Sequence, residues 1–355
     1  VNVVFQEKIP HRNDDTSFQF TLQPIFSPYK DKLHVCYMTT KKLVTQIILD
    51  QEEYCGSDNI LVKDCAFESK LHNILVPINK SFKINNIEYD IQVPNKPRKF
   101  MIISDQHGVQ GFKPKNLPDY DVAIMTGDFS QKPTYEQFAS SFEKPLNKLV
   151  VLNRGNHDTQ DAEIFDSLIQ RDYQYYEQVG DVGIISLTVL KDGLSVLKKS
   201  FMEDAILFMK KQIPKSRAAH IIIQVHCSMY TTGHHGKAQD YKKFIIMFEE
   251  AIDELNDKRI RAVFYGHEHQ ASVFIRKGIL YADCAPAGAD PQNSKVTELH
   301  GEIDYVYGGE YHQDSYFLDH FVGYFEIDDF NKQSSFKLLR TETMKKVQSY
   351  HIPYK

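Results

Sequence analysis

The chain has 355 residues, of which 42% are apolar and 25% are charged, a composition typical of soluble proteins and a length sufficient for two domains. Its formal net charge of −5 leaves no global basic field, so neither a nucleic-acid scaffold nor an anionic membrane surface is an expected partner. We find no apolar run long enough for a membrane span. Any affinity for phosphate must therefore come from a local site.

The first 97 residues carry the pattern of an all-β domain. Short apolar or alternating segments are separated by polar turn clusters, and no helical periodicity lies between them. This pattern predicts a β-sandwich of fibronectin or immunoglobulin size over residues 1–97. The predicted strands are residues 17–23, 32–39, 43–50, 60–67, 74–78 and 87–93.

Two of the five cysteines, Cys55 and Cys65, flank a hairpin-sized segment of this β-rich region. Such a pair is typical of a local disulfide, and two free thiols are the equal alternative. A disulfide favours an oxidising compartment. The hypothesis from this pair is a secreted or vesicular protein, which intact masses before and after reduction would test.

A change of pattern marks the expected domain boundary. Pro94 and Pro97 stop the strands, and from residue 98 apolar strands alternate with helix-like segments. This alternation predicts an α/β domain over residues 98–355. The predicted strands are 100–104, 122–126, 149–152, 182–187, 221–225, 262–265, 279–284 and 322–327, and the predicted helices are 135–142, 161–169, 201–211 and 240–256.

Five of these strands end in side chains that bind metals, and three of the ends have a glycine just before the ligand. A single histidine after a strand is more often a surface residue, but five such ends in one domain are very unlikely as independent turns. The carboxyl ends of strands are where open α/β sheets place their chemistry. Mixed His, Asp and Asn ligands favour Mn, Fe, Zn or Co over calcium. The five segments are Asp105-Gln-His107, Gly127-Asp128, Gly155-Asn156-His157-Asp158, Val225-His226 and Gly266-His267-Glu268-His269.

This ordered set of segments resembles the calcineurin-like metallophosphoesterase superfamily. The resemblance implies packed β-sheets flanked by helices and a centre of two metal ions that share Asp128. It implies that the remaining ligands of one ion are Asp105, His107 and His269. The remaining ligands of the other ion are then Asn156, His226 and His267.

Within that superfamily, the chain looks most like the purple acid phosphatases. The β-rich region before the catalytic segment, the segment His226-Cys-Ser-Met-Tyr230 and the pair His234-His235 carry this resemblance. It implies that His234 and His235 contact the substrate phosphate. The purple enzymes place a tyrosine ligand three residues after the bridging aspartate, where this chain has Gln131, and their first segment lacks the histidine that this chain has as His107. An imidazole thus replaces the phenolate.

The activity implied is hydrolysis of phosphomonoesters of small molecules by in-line attack of a hydroxide that bridges the two metal ions. His157 is the candidate for protonating the leaving group, and Asn156 and His157 are expected to contact the phosphate. The alternative for His157 is a bracing hydrogen bond in its turn. A phosphodiesterase acting on nucleotides or phospholipid head groups, and a non-catalytic scaffold or binding protein on the same fold, are the alternative functions. The aromatic segment 300–320 could roof the pocket or form a surface loop, and the oligomeric state is left open.

Overall fold

The structure is a computed structural model. It describes residues 18–43, 47–49, 52–54, 69–108, 117–132, 134–142, 148–160, 162–191, 193–231, 235, 238–291, 305–307, 320–341 and 343–354. The predicted strand 60–67, Cys55, Cys65, His234 and most of the segment 300–320 lie outside these ranges.

The described residues form strands and a smaller number of helices. In chain order they are β1 (Phe20–Tyr29), β2 (Lys32–Leu43), β3 (Ile47–Leu49), β4 (Glu52–Tyr54), β5 (Ser69–Pro77), β6 (Phe82–Ile84), β7 (Ile87–Tyr89), β8 (Lys99–Ile103), β9 (Val122–Met125), α1 (Tyr135–Ser140), β10 (Leu149–Leu152), α2 (Ala162–Ile169), β11 (Gln174–Val179), β12 (Val182–Leu187), α3 (Lys199–Gln212), β13 (His220–Val225), α4 (Gln239–Leu255), β14 (Ile260–Tyr265), β15 (Ala271–Arg276), β16 (Ile279–Cys284), β17 (Tyr305–Tyr307), β18 (Phe321–Asp328), β19 (Gln333–Arg340) and β20 (Lys346–Pro353).

Two large mixed sheets pack face to face, and each carries helices on its outer face. The strand order of the first sheet is β20-β19-β18-β8-β9-β10-β1-β2-β5, and that of the second is β11-β12-β13-β14-β16-β15-β17. Strands β8, β9 and β10 run parallel in the first sheet, as do β12, β13, β14 and β16 in the second. The predicted α/β architecture is confirmed.

The central strands read as continuous apolar runs because both of their faces are buried. Side chains alternate between the two faces of a strand. In β8, Phe100 and Ile102 join the core between the sheets, whereas Met101 and Ile103 join the core under α1 and α2. The second sheet follows the same rule, since Ile222 lies between the sheets and its neighbours along β13 pack with α3 and α4.

The helices are amphipathic and cover the outer faces of the sheets. Helix α4 shows the pattern, because its buried residues Tyr241, Phe244, Ile245 and Phe248 follow the spacing of one helical stripe. This stripe is part of the outer core of the second sheet. No helix among the described residues has both the length and the apolar composition that crossing a bilayer requires.

The N-terminal region is β-rich, as predicted, but its strands join the sheet of the later segment. Strand β1 pairs in parallel with β10 at Phe26 and Leu149, and β2 and β5 continue the first sheet beyond it. Strands β3, β4, β6 and β7 form a small sheet of their own. Buried side chains of this region, such as Tyr37 and Phe82, belong to the core between the two large sheets. The boundary at residue 97 stays a prediction, and a sheet and a core extend across it.

A buried histidine links the N-terminal strands to α2. The Nε2–H of His34 on β2 donates to Asn73 Oδ1 at 2.7 Å, and Asn73 Nδ2 donates to the carbonyl oxygen of Ser167 at 2.9 Å. Burial and the charge of Arg171 lower the pKa of His34 from 6.5 to about 3, although the hydrogen bond with Asn73 opposes this shift. His34 is therefore neutral in the folded protein at pH 5.

This depressed pKa predicts a loss of stability in mild acid. Because the unfolded chain takes up a proton below pH 6.5 and the folded chain does not, the contribution of His34 is complete above pH 6.5 and declines as the pH falls toward about 3. Each pH unit within this window costs about 1.4 kcal/mol. We expect the free energy of unfolding in urea to fall between pH 7 and pH 5 by about 2 kcal/mol more in the wild type than in His34→Gln, which keeps a donor at the same position. Equal losses in both proteins would contradict the assignment.

Candidate metal centre

The predicted ligands all follow the carboxyl ends of central strands. Asp105 and His107 follow β8, and Asp128 follows β9. Asn156 lies in the turn after β10, His226 directly follows β13, and the pair His267 and His269 follows β14. Since β8, β9 and β10 belong to the first sheet and β13 and β14 to the second, the site lies where the ends of the two packed sheets meet.

The structure brings these side chains into one cluster. Its His and Asp members form three overlapping groups, and the ligand atoms of each group lie within 4.8 Å of one another. His107 and Asp128 each occur in two groups, so the groups are continuous. The groups are Asp105, His107 and His269; His107, Asp128 and His157; and Asp128, His226 and His267.

The backbone at the site is strained in a consistent way. Five of the predicted ligands have positive φ angles between 49° and 79°, a region that non-glycine residues rarely adopt. Such strain costs on the order of 1 kcal/mol or more for each residue and clusters at functional sites. The five are Asp105, His107, Asp128, His267 and His269.

Glycines allow the two carboxylates to be enclosed by backbone. A Cβ atom on Gly155 would lie 2.0 Å from Asp128 Oδ1 and 2.5 Å from the Asp128 backbone nitrogen. A Cβ atom on Gly266 would lie 2.2 Å from Asp105 Oδ2. Any larger residue at either position would displace a carboxylate, which explains why glycine precedes the ligand in these turns.

Hydrogen bonds outside the cluster fix the tautomers of three histidines. Nδ1 of His226 lies 3.0 Å from the Thr126 carbonyl oxygen, and Nδ1 of His269 lies 3.0 Å from the Asp290 carbonyl oxygen. Nδ1 of His107 bonds to the side-chain oxygen of Gln131. Because an oxygen of this kind only accepts, each Nδ1 carries a hydrogen, and in the neutral form of each ring the lone pair lies on Nε2.

These Nε2 atoms converge on the two buried carboxylates. Asp128 Oδ2 lies 3.1 Å from Nε2 of His226 and 3.4 Å from Nε2 of His107. Asp105 Oδ1 lies 3.4 Å from Nε2 of His269, which in turn lies only 3.2 Å from Nε2 of His107. Two lone pairs that face each other at this distance repel unless a proton or a cation lies between them.

Two buried polar atoms of the cluster lack a hydrogen-bond partner. The side-chain oxygen of Asn156 and Nε2 of His226 are buried, and neither forms a hydrogen bond of normal geometry with the described residues. Buried polar atoms are almost always bonded, so orphans of this kind call for an explanation. An amide oxygen, carboxylates and neutral imidazoles together form a donor set that fits divalent transition-metal ions.

The pKa shifts in the cluster also indicate that it stabilises positive charge. Burial raises the pKa of Asp128, but the charge of His226 and hydrogen bonds from His107 and His226 hold it well below its ordinary value. Burial lowers the pKa of His107, but hydrogen bonds and charge interactions with Asp105 and Asp128 raise it to about 11. In the metal-free protein, protons on His107 and His226 supply positive charge that the two carboxylates stabilise.

His157 lies at the edge of this cluster. Its Nδ1 lies 3.0 Å from the carbonyl oxygen of Gln131, and its Nε2 lies 4.0 Å from Asp128 Oδ2. Its side chain is 19% exposed, compared with 1% for His226. Burial lowers its pKa, and the charge of Asp128 opposes this shift. His157 is thus close enough to the cluster to act on a bound ligand and remains open to solvent.

The structure also places His235 beside the cluster. Its ring centroid lies 4.4 Å from that of His267, and its Nδ1 lies 2.7 Å from Oε1 of the fully buried Glu268. The backbone nitrogen of His235 donates to the same oxygen at 2.8 Å. Glu268 therefore fixes both the backbone and the ring of His235 next to a predicted ligand.

The comparisons with known proteins agree with this geometry. The model of the family described as calcineurin-like phosphoesterase matches residues 98–271, a range that includes every predicted ligand. Residues 98–271 belong to the calcineurin-like phosphoesterase family. None of the curated proteins matches the sequence.

Solved structures show the same fold as this phosphoesterase at low sequence identity. PhoD has a TM-score of 0.61 and 9% identity, with 96% of this chain and 94% of PhoD covered. GAP50, the anchor in the inner membrane complex of Plasmodium, has a TM-score of 0.53 and 13% identity, with 73% of this chain and 90% of GAP50 covered. The similarity to PhoD extends over nearly the whole chain and includes the N-terminal strands.

One residue that organises the phosphoesterase site had no role in the sequence analysis. Asp158 accepts hydrogen bonds from the backbone nitrogens of Asp128, Phe129 and Gly155 at 2.7, 3.1 and 2.9 Å, and so ties the turn after β10 to the turn after β9. The feature of the sequence that could have pointed to Asp158 was its position in the segment Gly155-Asn156-His157-Asp158. The alternative role for His157 was a bracing hydrogen bond to Asp158 or to a loop carbonyl group, and the structure shows the second of these contacts, to the Gln131 carbonyl oxygen.

Proposed function

We propose that this phosphoesterase hydrolyses phosphomonoesters of small molecules with two metal ions. Convergence of His107, His226 and His269 on Asp105 and Asp128, with the orphaned oxygen of Asn156 in the turn whose backbone bonds to Asp128, is the observation that carries the proposal. One ion would be held by Asp105, His107, Asp128 and His269, and the other by Asp128, Asn156, His226 and His267. When bound, such a pair polarises the phosphoryl group and activates water for in-line attack on phosphorus.

The charge of the site favours a phosphate dianion. Two divalent ions bring four positive charges, and Asp105 and Asp128 balance two of them. The remaining positive charge lies at the end of the two packed sheets, in a chain whose overall net charge is −5. A monoester dianion gains more from this local charge than a singly charged diester does, because the Coulomb energy scales with the charge of the ligand.

The proposed roles of the other residues follow from their positions. Nδ1 of His157 donates to the Gln131 carbonyl oxygen, so Nε2, the atom nearer to Asp128, is where the ring takes up a second proton, and from Nε2 that proton can pass to the leaving oxygen. Asn156 and His157 contact the phosphate from one side. His235, held by Glu268, contacts it from the side of His267, and His234 is proposed as a further contact from the same loop.

The test of this function uses the full chain, stripped of metal with a chelator and reloaded separately with Mn²⁺, Zn²⁺, Co²⁺ or Fe²⁺. We expect at least one ion to restore turnover of p-nitrophenyl phosphate, and turnover of bis(p-nitrophenyl) phosphate to be slower. Faster diester turnover would identify a phosphodiesterase instead. The stripped protein is the control, because its turnover sets the background.

A scaffold is the second candidate, and the fold similarity to GAP50, which is described as an anchor, favours it. The same assay distinguishes the two candidate functions. Two equivalents of bound metal without turnover of either ester would support a scaffold and contradict the hydrolase.

A further inference from the structure

A tyrosine of α4 contacts one of the predicted ligands from outside the cluster. The hydroxyl oxygen of Tyr241 lies 2.8 Å from Nε2 of His267 and 3.2 Å from the carbonyl oxygen of Ser195. Tyr241 is only 1% exposed, and its ring is nearly parallel to that of His267, with 15° between the planes. The tyrosine therefore has a fixed orientation and two polar neighbours.

The directions of these hydrogen bonds follow from the chemistry of the partners. The Ser195 carbonyl oxygen only accepts, so the hydroxyl of Tyr241 donates its hydrogen there. With its one hydrogen directed there, the same hydroxyl accepts from His267 in the tautomer that carries its hydrogen on Nε2. Nδ1 of His267 is left with the lone pair. The tautomer of His267 is thus opposite to that of His107, His226 and His269, which in their neutral forms carry the lone pair on Nε2.

Several contacts hold Tyr241 in place. It belongs to the apolar stripe by which α4 packs on the second sheet. The neighbouring Asp240 accepts a hydrogen bond from the backbone nitrogen of Leu197 at 2.8 Å, which fixes the loop that carries the Ser195 carbonyl group. The ring of His235 also stacks on that of Tyr241, with the centroids 5.0 Å apart.

We infer that Tyr241 is a positioning residue of the metal centre, which sets the tautomer of His267 and thereby the affinity for the ion nearest to Asp128 and His226. The inference rests on the proposed function, since it needs His267 to be a ligand. Residues that hydrogen-bond to metal-binding histidines fix the ring and typically account for about 10- to 100-fold in metal affinity. Tyr241 acts through His267 and has no contact with the substrate in this scheme.

The test compares Tyr241→Phe with a matched control. Tyr324→Phe also removes a hydroxyl from a buried tyrosine, whose bond goes to the Asp119 carbonyl oxygen at 2.9 Å, at the amino end of β9 and away from the cluster. Each protein is stripped of metal and titrated with Co²⁺, and the visible absorption reports the coordination. We expect Tyr241→Phe to weaken one of two binding steps about 10- to 100-fold and to leave the other unchanged. Tyr324→Phe should bind as the wild type does.

The outcomes distinguish the inference from the proposed function. If the wild type binds no Co²⁺, both are overturned. If the wild type binds two ions and Tyr241→Phe binds them with wild-type affinity, only the inference is overturned. The wild type offers a second readout that needs no folded Tyr241 variant, because ¹⁵N spectra of histidine-labelled protein, assigned with His267→Asn, report the tautomer. An Nε2–H form of His267 in the metal-free protein supports the inference, and an Nδ1–H form contradicts it.

Discussion

Replacing Asp128 with asparagine is expected to lower the turnover of p-nitrophenyl phosphate by about 10³-fold or more, which corresponds to about 4 kcal/mol of lost transition-state stabilisation. The carboxylate of Asp128 lies within 3.4 Å of Nε2 of both His107 and His226, so one substitution removes a charge that both ligand groups share. The measurements are kcat and the metal content of the purified variant. We expect fewer than two equivalents of metal to remain bound.

Asp119→Asn provides the control for this substitution. Asp119 precedes β9 in the same part of the chain, and its side chain is 71% exposed. The Asp119→Asn variant should retain the turnover and the metal content of the wild type. A variant of Asp128 that kept two equivalents of metal and turned over within tenfold of the wild type would remove this residue from the proposed centre.

Replacing His157 with asparagine is expected to lower kcat by about 10²- to 10⁴-fold for an alkyl phosphate such as glycerol phosphate, with the metal content unchanged. A nitrophenolate leaves without needing a proton, so the loss for p-nitrophenyl phosphate should be much smaller. This dependence on the leaving group separates proton donation from the alternative role of His157 in bracing its turn. The measurement is kcat for both esters.

The control for His157 is His351→Asn, at an exposed position on β20. It should leave both rates unchanged. Equal losses for the two esters in the His157 variant would indicate a structural role, because a disturbed turn affects every substrate alike.

The sequence predicted the central strands well because burial on both faces leaves a distinctive pattern. Strands β10, β12 and β16 have the predicted bounds, β9 and β13 differ from the prediction by one residue at one end, and β8 differs by one residue at each end. Strand β11, Gln174–Val179, was missed because half of its residues are polar, and one of them, Glu177, occupies a buried position where an apolar residue is expected. The pairing of β1 with β10 was also out of reach, because it joins segments more than a hundred residues apart and leaves no local signal.

The residue types and spacings of the site were readable because each ligand lies close to the end of an apolar strand. The structure places the described members of that set together, and their roles as ligands stay a prediction. The contacts that orient the ligand side chains could not be predicted from the sequence. Tyr241 reaches His267 from a helix 26 positions earlier in the chain, and Gln131 bonds to His107 over 24 positions. Such partners depend on how helices and loops pack, and no spacing rule identifies them.

The parallel pairing of β1 with β10 has a consequence for any attempt to produce the catalytic segment alone. A fragment beginning at residue 98 would leave the outer edge of β10 without its neighbour, and Leu149 to Leu152 would present unpaired amides flanked by apolar side chains. Exposed edges of this kind pair with other chains and aggregate. The turn that carries Asn156 and His157 begins directly after this strand, so the N-terminal strands contribute to the solubility and the shape of a site in which none of their residues takes part.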